Sequence, residues 1–258
     1  MSKKSIALLV LAFFVLTLGL AGCSKQQSTS GQAKVLKVGT EATFPPFEFQ
    51  DEKSKAYTGF DIDLANAIGK QMGVQVEIQN MGFDGLIPAL QTGAVDMIAS
   101  AMSITDERAQ KVNFSQPYYK SGLSIVVKKD NTTINSFKDL EGKRIAVQIG
   151  TTSAKEAAKI KNAQVREYNS NSEAYMELVN GGADAVVNDL PVNQYYLTQT
   201  ASKDAKLVGE VANAEDYGLA VAKNNKELAD KVNKAMDELK KSGEYEKIYQ
   251  KWFGKKQG

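Results

Sequence analysis

The run ALQTGAVDMIAS, residues 89–100, is echoed by ELVNGGADAVVND, residues 177–189. Each copy sets a leucine (Leu90, Leu178) three before a glycine (Gly93, Gly181) and an aspartate (Asp96, Asp184) three after it. The apolar spacing ahead of the glycine predicts a helix, the glycine its left-handed stop, and the β-branched stretch beyond it a buried strand. That strand runs into polar residues at its carboxyl end: Ser100 and Ser103 in the first copy, Asn188 and Asp189 in the second. In open α/β sheets ligands bind at carboxyl ends of strands. Helix–glycine–strand units are common, so the echo alone does not fix the number of lobes; two polar strand ends suggest a ligand gripped between two.

Outward from the echo, short β-branched runs alternate with helical spacing. VLKVGT (35–40), VQVEIQN (74–80), LSIVVKK (123–129), RIAVQIG (144–150), QVREYN (164–169) and YGLAVAK (217–223) read as strands. DIDLANAIGKQM (61–72), FDGLIPALQTG (83–93), TSAKEAAKI (152–160), SEAYMELVNGG (172–182), PVNQYYLTQT (191–200) and one long run from Lys226 to Phe253 read as helices. The alternation predicts α/β architecture with mainly parallel sheets.

The first 22 residues predict a secretory signal peptide: Lys3 and Lys4, an apolar run from Ile6 to Leu20, then small residues. LAGC, 20–23, resembles the bacterial lipoprotein box, in which the cysteine carries the lipid. Cys23 is therefore the expected lipidation site, followed to residue 34 by a flexible tether. Membrane attachment through that lipid, outside the cytoplasm, is the expected location. Without Lys3 and Lys4 the 32 basic residues become 30, equal to the 30 acidic ones. A balanced chain without basic blocks argues against a nucleic-acid partner. The chain has no histidine and one cysteine. Ser-His, Cys-His and histidine-metal chemistry are excluded, and no metal site or cofactor is expected.

In SITDERAQKVNFSQPYY (103–119), Thr105 suits a helix N-cap and Asp106 and Glu107 suit the positive end of its dipole. Arg108 in the same turn is on the unfavourable end. Either it is a solvated surface arginine paired with Asp106 or Glu107, or Ser103, Thr105, backbone N–H groups and Arg108 together cradle a carboxylate.

VGTEATFPPFEF, YTGFDIDLANAIG, MGFDGLIPALQTGAVDMIAS, SITDER, VNFSQPYYKSG, DLEGKRIAVQIGTTS, ADAVVND and IYQKWFG, in this order, closely resemble the polar amino acid binding proteins of bacterial ABC importers. The resemblance implies a two-lobed periplasmic-binding-protein-like fold (type II) with two crossover hinge strands. Lobe one would comprise residues 35–122 plus 214–258, and lobe two residues 123–213. It also implies residue roles. Arg108 would grip a ligand α-carboxylate, helped by Ser103 and the backbone near Ser100 and Ala101. Asp189 would take the α-ammonium. Thr151 and Thr152 would add donors to the carboxylate. Phe44 and Phe83, which composition alone reads as core residues, would sandwich the ligand side chain.

Glu41 stands where relatives usually have aspartate, facing the ligand side chain, and Gln148 where glutamine-binding members carry lysine. With Arg108 and Asp189 matched against a zwitterion, Glu41 is left over, so arginine or lysine is the first expectation and glutamine the alternative. A cyclohexadienyl-type dehydratase and a sensor input module are the readings of other classes. The expected partners are a free amino acid and an ABC permease, with the binding protein itself a monomer.

Overall fold

The computed structural model describes residues 34–199 and 203–255; the signal peptide, Cys23 and most of the tether lie outside them. Residues 34–258 gather into one compact unit. In chain order it opens with β1 (Val35–Thr40), β2 (Thr43–Phe44), β3 (Glu48–Gln50), β4 (Tyr57–Thr58), α1 (Phe60–Met72), β5 (Gln75–Asn80), α2 (Phe83–Thr92), β6 (Met97–Ile98), α3 (Asp106–Lys111) and β7 (Val112–Phe114). It continues through β8 (Tyr119–Lys128), β9 (Arg144–Gln148), α4 (Thr152–Ala158), β10 (Gln164–Tyr168), α5 (Asn171–Asn180), β11 (Ala185–Asp189) and α6 (Leu190–Gln199). β12 (Ala205–Tyr217), β13 (Ala220–Ala222), α7 (Lys226–Ser242) and α8 (Glu244–Phe253) close it.

Two five-stranded sheets carry the two lobes, in the orders β5-β1-β6-β13-β7 and β10-β9-β11-β8-β12. Both are mainly parallel, as expected, but mixed. Four strands of each run in one direction, and a single strand, β13 in the first sheet and β8 in the second, runs antiparallel to its neighbours. The reason is topological: a strand that enters a sheet directly from the other lobe needs no crossover helix and arrives reversed. β8 is such a strand, and so is β13.

The glycine signals act as read. Gly93 (φ 76°) and Gly181 (φ 82°) end α2 and α5 in the left-handed conformation. The long C-terminal run divides at Gly243 (φ 77°) into α7 and α8, a break the uniform apolar spacing concealed. β8 and β12 pair antiparallel from Tyr217–Tyr119 to Ala205–Lys128, and the register shifts between Val208 and Ala214.

The lobes bury different cores. The first is aromatic: Phe47 and Phe60 are fully buried and pack against Tyr118, Tyr119, Tyr217, Tyr245 and Phe253. The second is aliphatic, built on Leu123, Ile125, Val127, Ile145, Val147 and Val187.

Candidate functional site

One cavity collects every residue that the family resemblance nominated for binding; Thr105, the other candidate for the carboxylate cradle, lies outside it. The first lobe supplies Glu41, Phe44, Phe83, Ser100, Ala101, Ser103 and Arg108, and the second Gln148, Thr151, Thr152 and Asp189. Glu48 joins them without having been nominated. The walls lie close together: the cavity holds ≈ 290 Å³ outside the atoms, but only ≈ 10 Å³ is open to the centre of a water molecule. That is room for about one water, so anything the size of an amino acid enters only if the lobes part.

Arg108 owes its place to the cap that precedes it. The Thr105 hydroxyl accepts the Arg108 N–H at 3.2 Å and starts α3. The side chain then turns inward and is only 5% exposed. Its Nη1 donates to the Ser103 carbonyl (2.9 Å) and its Nη2 to the Gly150 carbonyl of the other lobe (3.1 Å). The guanidinium carbon lies 5.3 Å from the centre of the Phe83 ring. The surface alternative for this arginine is thereby excluded. Burial lowers its pKa, while Glu215 and then Asp189 favour the charged form.

Carboxylates face this cation. Asp189, at the end of β11, accepts from Ser121 Oγ at 3.2 Å, and its pKa is pushed up to about 7 by burial and by Glu215. Glu41, at the end of β1, accepts from Thr43 Oγ1 at 2.7 Å; burial raises its pKa, and hydrogen bonds from Thr43 and Gln148 oppose the rise. Glu41 is thus not the unpartnered carboxylate that counting charges implied. Glu48 is 1% exposed, accepts from Ser100 Oγ at 3.0 Å, and leaves Oε2 without a hydrogen bond. Burial, then Asp61 and Glu41, push its pKa well up. Asp61 lies behind this wall, accepting from the Ala101 N–H (2.8 Å) and the Tyr118 hydroxyl (2.6 Å), with burial raising it to about 7.

Several groups expected to serve a ligand have partners within the protein. Ser100 Oγ accepts from the Glu41 N–H at 3.0 Å and donates to Glu48. The Ala101 N–H is held by Asp61, which fixes this residue at φ 41°. Thr151 caps α4, accepting from the Ala154 N–H while donating to the Gln148 carbonyl. The Gln148 amide is bracketed by Asn171 Nδ2 (2.6 Å) and the Asn169 carbonyl (3.1 Å). Ser103 Oγ and Thr152 Oγ1 both donate to Glu215 Oε2, at 2.5 and 3.0 Å. Phe44 lines the cavity and also packs 6.1 Å from Phe47.

Glu48 and Glu215 are the residues sequence reasoning missed. For Glu48 the available signal was a lone carboxylate inside the apolar run FPPFEF. For Glu215 there was none.

Elsewhere, a larger groove of ≈ 570 Å³ runs between α1 and the C-terminal helices beside Asp63, Lys70, Lys247 and Lys251. It is open to solvent and none of its charged residues is buried. The interlobe cavity, by contrast, sets buried charges of both signs against aromatic rings. Among the described residues no group of acidic or cysteine side chains could hold a metal ion, and no helix is long and apolar enough to cross a membrane.

Known proteins share this architecture. The chain is 37% identical over 255 residues to the "Probable histidine-binding protein" of Campylobacter jejuni, spanning 97% of this chain and 98% of that one. It is 36% identical over the same length to the "Arginine-binding extracellular protein ArtP" of Bacillus subtilis, again 97% and 98%. Two solved structures of an ancestral arginine-binding protein also match. The one bound to arginine has a TM-score of 0.83 at 50% identity and covers 85% of this chain and 98% of its own. The one bound to glutamine has 0.81 at 51%, covering 86% and 98%. A family model matches residues 36–255, and the chain belongs to the bacterial extracellular solute-binding proteins, family 3.

Proposed function

We propose that this protein captures a basic amino acid, arginine first, outside the cytoplasm and delivers it to an ABC importer. The observation that carries the reading is the charge pattern of the cavity. Arg108 and Asp189 face each other from opposite lobes and match the carboxylate and ammonium of a zwitterion. Two further buried carboxylates, Glu41 and Glu48, then remain beside Phe44 and Phe83. A guanidinium or ammonium between them gives this pair the cation it lacks, because a buried charge needs a partner. It also gains about 0.5–2 kcal/mol from the rings. Bringing a cation to Glu41 and Glu48 favours their ionised forms, which burial alone disfavours. The names of the relatives, arginine- and histidine-binding, agree with this class of side chain.

Titration calorimetry of the ligand-stripped chain from Gln32 onward against arginine, lysine, histidine and glutamine tests the proposal. A basic amino acid should bind about tenfold or more tighter than glutamine, since charge-assisted bonds exceed neutral ones by roughly 1 kcal/mol or more. Glu41→Gln and Glu48→Gln should each narrow that gap. Tightest binding of glutamine by the unmutated chain, or equal weakening of both classes by the variants, would overturn it. The second reading, glutamine, is favoured by one observation: the ancestral relative has been solved with glutamine bound. Recovery of the bound molecule unchanged separates a binding protein from a dehydratase. A sensor role would leave binding intact and show as loss of a signalling response without loss of uptake.

Anchorage rests on the lipoprotein box. Cys23→Ser should release the protein from the membrane fraction, because the lipid is its proposed anchor; unchanged fractionation would refute that. The proposed working form is a monomer, checked by the mass in solution.

A further inference from the structure

Glu215 lies on β12, where that strand and β8 form the ribbon joining the two lobes. Its Oε2 accepts one hydrogen bond from each wall of the cavity: Ser103 Oγ of the first lobe and Thr152 Oγ1 of the second. Directly across the ribbon is Ser121, which donates to Asp189. Nearby, Arg108 bonds the Gly150 carbonyl, and Lys155 on α4 is paired with Glu107 on α3 at the cleft's solvent edge. Glu215 does not itself line the cavity. It nevertheless gathers one hydroxyl from each wall of the cavity. Moving the lobes apart about the ribbon carries Thr152 away from Ser103, so a carboxylate bonded to both is satisfied in full only when the cleft is shut.

We propose that Glu215 is a positioning residue, a carboxylate clasp that ties the two cavity walls together on closure and so sets how slowly a bound ligand leaves. The inference rests on the proposed capture of an amino acid for its ligand, but the clasp acts between protein groups whatever the ligand is. Two effects of Glu215 oppose one another. Its negative charge lies close to Arg108 and weakens the pull of that cation on a ligand carboxylate. Its charge-assisted bonds hold the lobes together, and such bonds are about twice as strong as neutral ones. Glu215 is half-buried, where a through-space charge effect is screened more than a direct bond. The clasp therefore wins, and removing it opens the cleft.

The test measures Glu215→Gln, Glu215→Ala and Glu215→Asp in the chain from Gln32 onward, which lacks Cys23 and retains the compact unit. With arginine as probe, stopped-flow dissociation should quicken about tenfold for Gln and Ala and less for Asp. Association should stay within about twofold, and the arginine-to-glutamine affinity ratio should not move. Cysteines placed at exposed Lys70 and Lys161 and spin-labelled report the interlobe distance; Glu215→Ala should lengthen it with no amino acid added. Unchanged dissociation with unchanged distance would overturn the clasp while leaving amino acid capture standing. Tighter binding by the variants would also overturn it, showing Glu215 to be a competitor for Ser103, Thr152 and Arg108. If the unmutated chain binds none of the amino acids yet Glu215→Ala lengthens the distance, the clasp stands and the ligand reading falls.

Discussion

The two copies of the helix–glycine–strand unit are alike to the level of single hydrogen bonds and differ in the residues at and beyond the carboxyl ends of their strands. In the first lobe the Gly93 N–H bonds the Leu90 carbonyl, the Asp96 N–H bonds the Lys37 carbonyl, and Asp96 Oδ2 accepts the Lys37 N–H at 2.9 Å. In the second, Gly181 bonds Leu178, the Asp184 N–H bonds the Arg144 carbonyl, and Asp184 Oδ2 accepts the Arg144 N–H at 2.9 Å. The aspartate thus locks the start of a neighbouring parallel strand in both. At the carboxyl ends of the strands the lobes part company: one leads to neutral Ser100, Ala101 and Ser103 and then to Arg108, the other ends on Asn188 and Asp189. A shared frame with opposite charges at its tips is what places a cation and an anion face to face.

The pH response of stability should be the largest departure from this likeness. Asp61, on α1, is buried behind the first copy's strand end, where it accepts the Ala101 N–H, and burial lifts its pKa to about 7 from the ordinary 3.8. The folded chain then holds a proton that the unfolded chain has lost between about pH 4 and 7. Stability contributed by Asp61 is complete below pH 4 and falls as the pH rises through 7, with a ceiling of about 4 kcal/mol. Glu48 and Asp189, both raised, act in the same direction. Denaturant unfolding without added amino acid at pH 4.5, 6 and 7.5 should show this decline, and Asp61→Asn should flatten it. A decline of equal steepness in the variant would remove Asp61 from the account.

Breaking the charge opposition at its cationic end comes next. Arg108→Ala should lose about 3 kcal/mol or more of amino acid binding, roughly a hundredfold, because it leaves Asp189 and the ligand carboxylate without a buried counter-charge. Calorimetry reads the loss, and near-normal affinity in a folded variant would sink the assignment. Asp189→Asn should weaken the same ligands from the opposite wall.

A smaller effect sharpens the likeness of the two units. Asp184 also receives Arg144 Nη2 at 2.5 Å, a bond that Asp96 lacks. Both partners of that pair are about a third or more exposed, so it adds well under 1 kcal/mol after screening. Asp96→Ala should cost about 1 kcal/mol of stability and Asp184→Ala a few tenths more. Gly93→Ala and Gly181→Ala should have effects of similar size. An added Cβ meets nothing within 4 Å at either site, so only the left-handed backbone is penalised. About 1 kcal/mol is expected for each, and unequal values in denaturant melts would show that the two stops are not equivalent.

How much the sequence revealed depends on the range of the interactions involved. The stops at Gly93 and Gly181 and the cap at Thr105 are local, and the structure has them where the residues placed them. Arg108 was legible as an anomaly, a cation at the wrong end of a helix, because the local rule it breaks is strong. Glu48 was not legible. Whether the carboxylate of FPPFEF faces solvent or cavity depends on the pairing of β2, β3 and β4, strands of two or three residues with almost no pattern. Nor could local signals say that the hydroxyls of Ser103 and Thr152 would meet on Glu215, since that contact joins residues 112 and 63 positions apart. The mixed sheets were hidden for the same reason: strand direction is set by where the chain crosses between lobes, not by its periodicity.

The β8–β12 ribbon has a mechanical consequence. Its ladder is regular from Ala214–Gly122 to Tyr217–Tyr119, but between Val208 and Ala212 the chain takes four steps while its partner takes two, from Ile125 to Leu123. Gly209 turns there at φ 73°. At the irregularity β8 keeps its pairing with β11, Ile125 with Val187 and Leu123 with Asp189, so the missing rungs loosen β12 alone, at the edge of the second sheet. The length outside the β11 pairing, Tyr119–Gly122 against Ala214–Tyr217, keeps a regular ladder. A swing of the lobes that flexes this short strip leaves both cores and the strip's own backbone bonds in place, so it works as a flexure bearing: repeatable, and without melting any part of the fold.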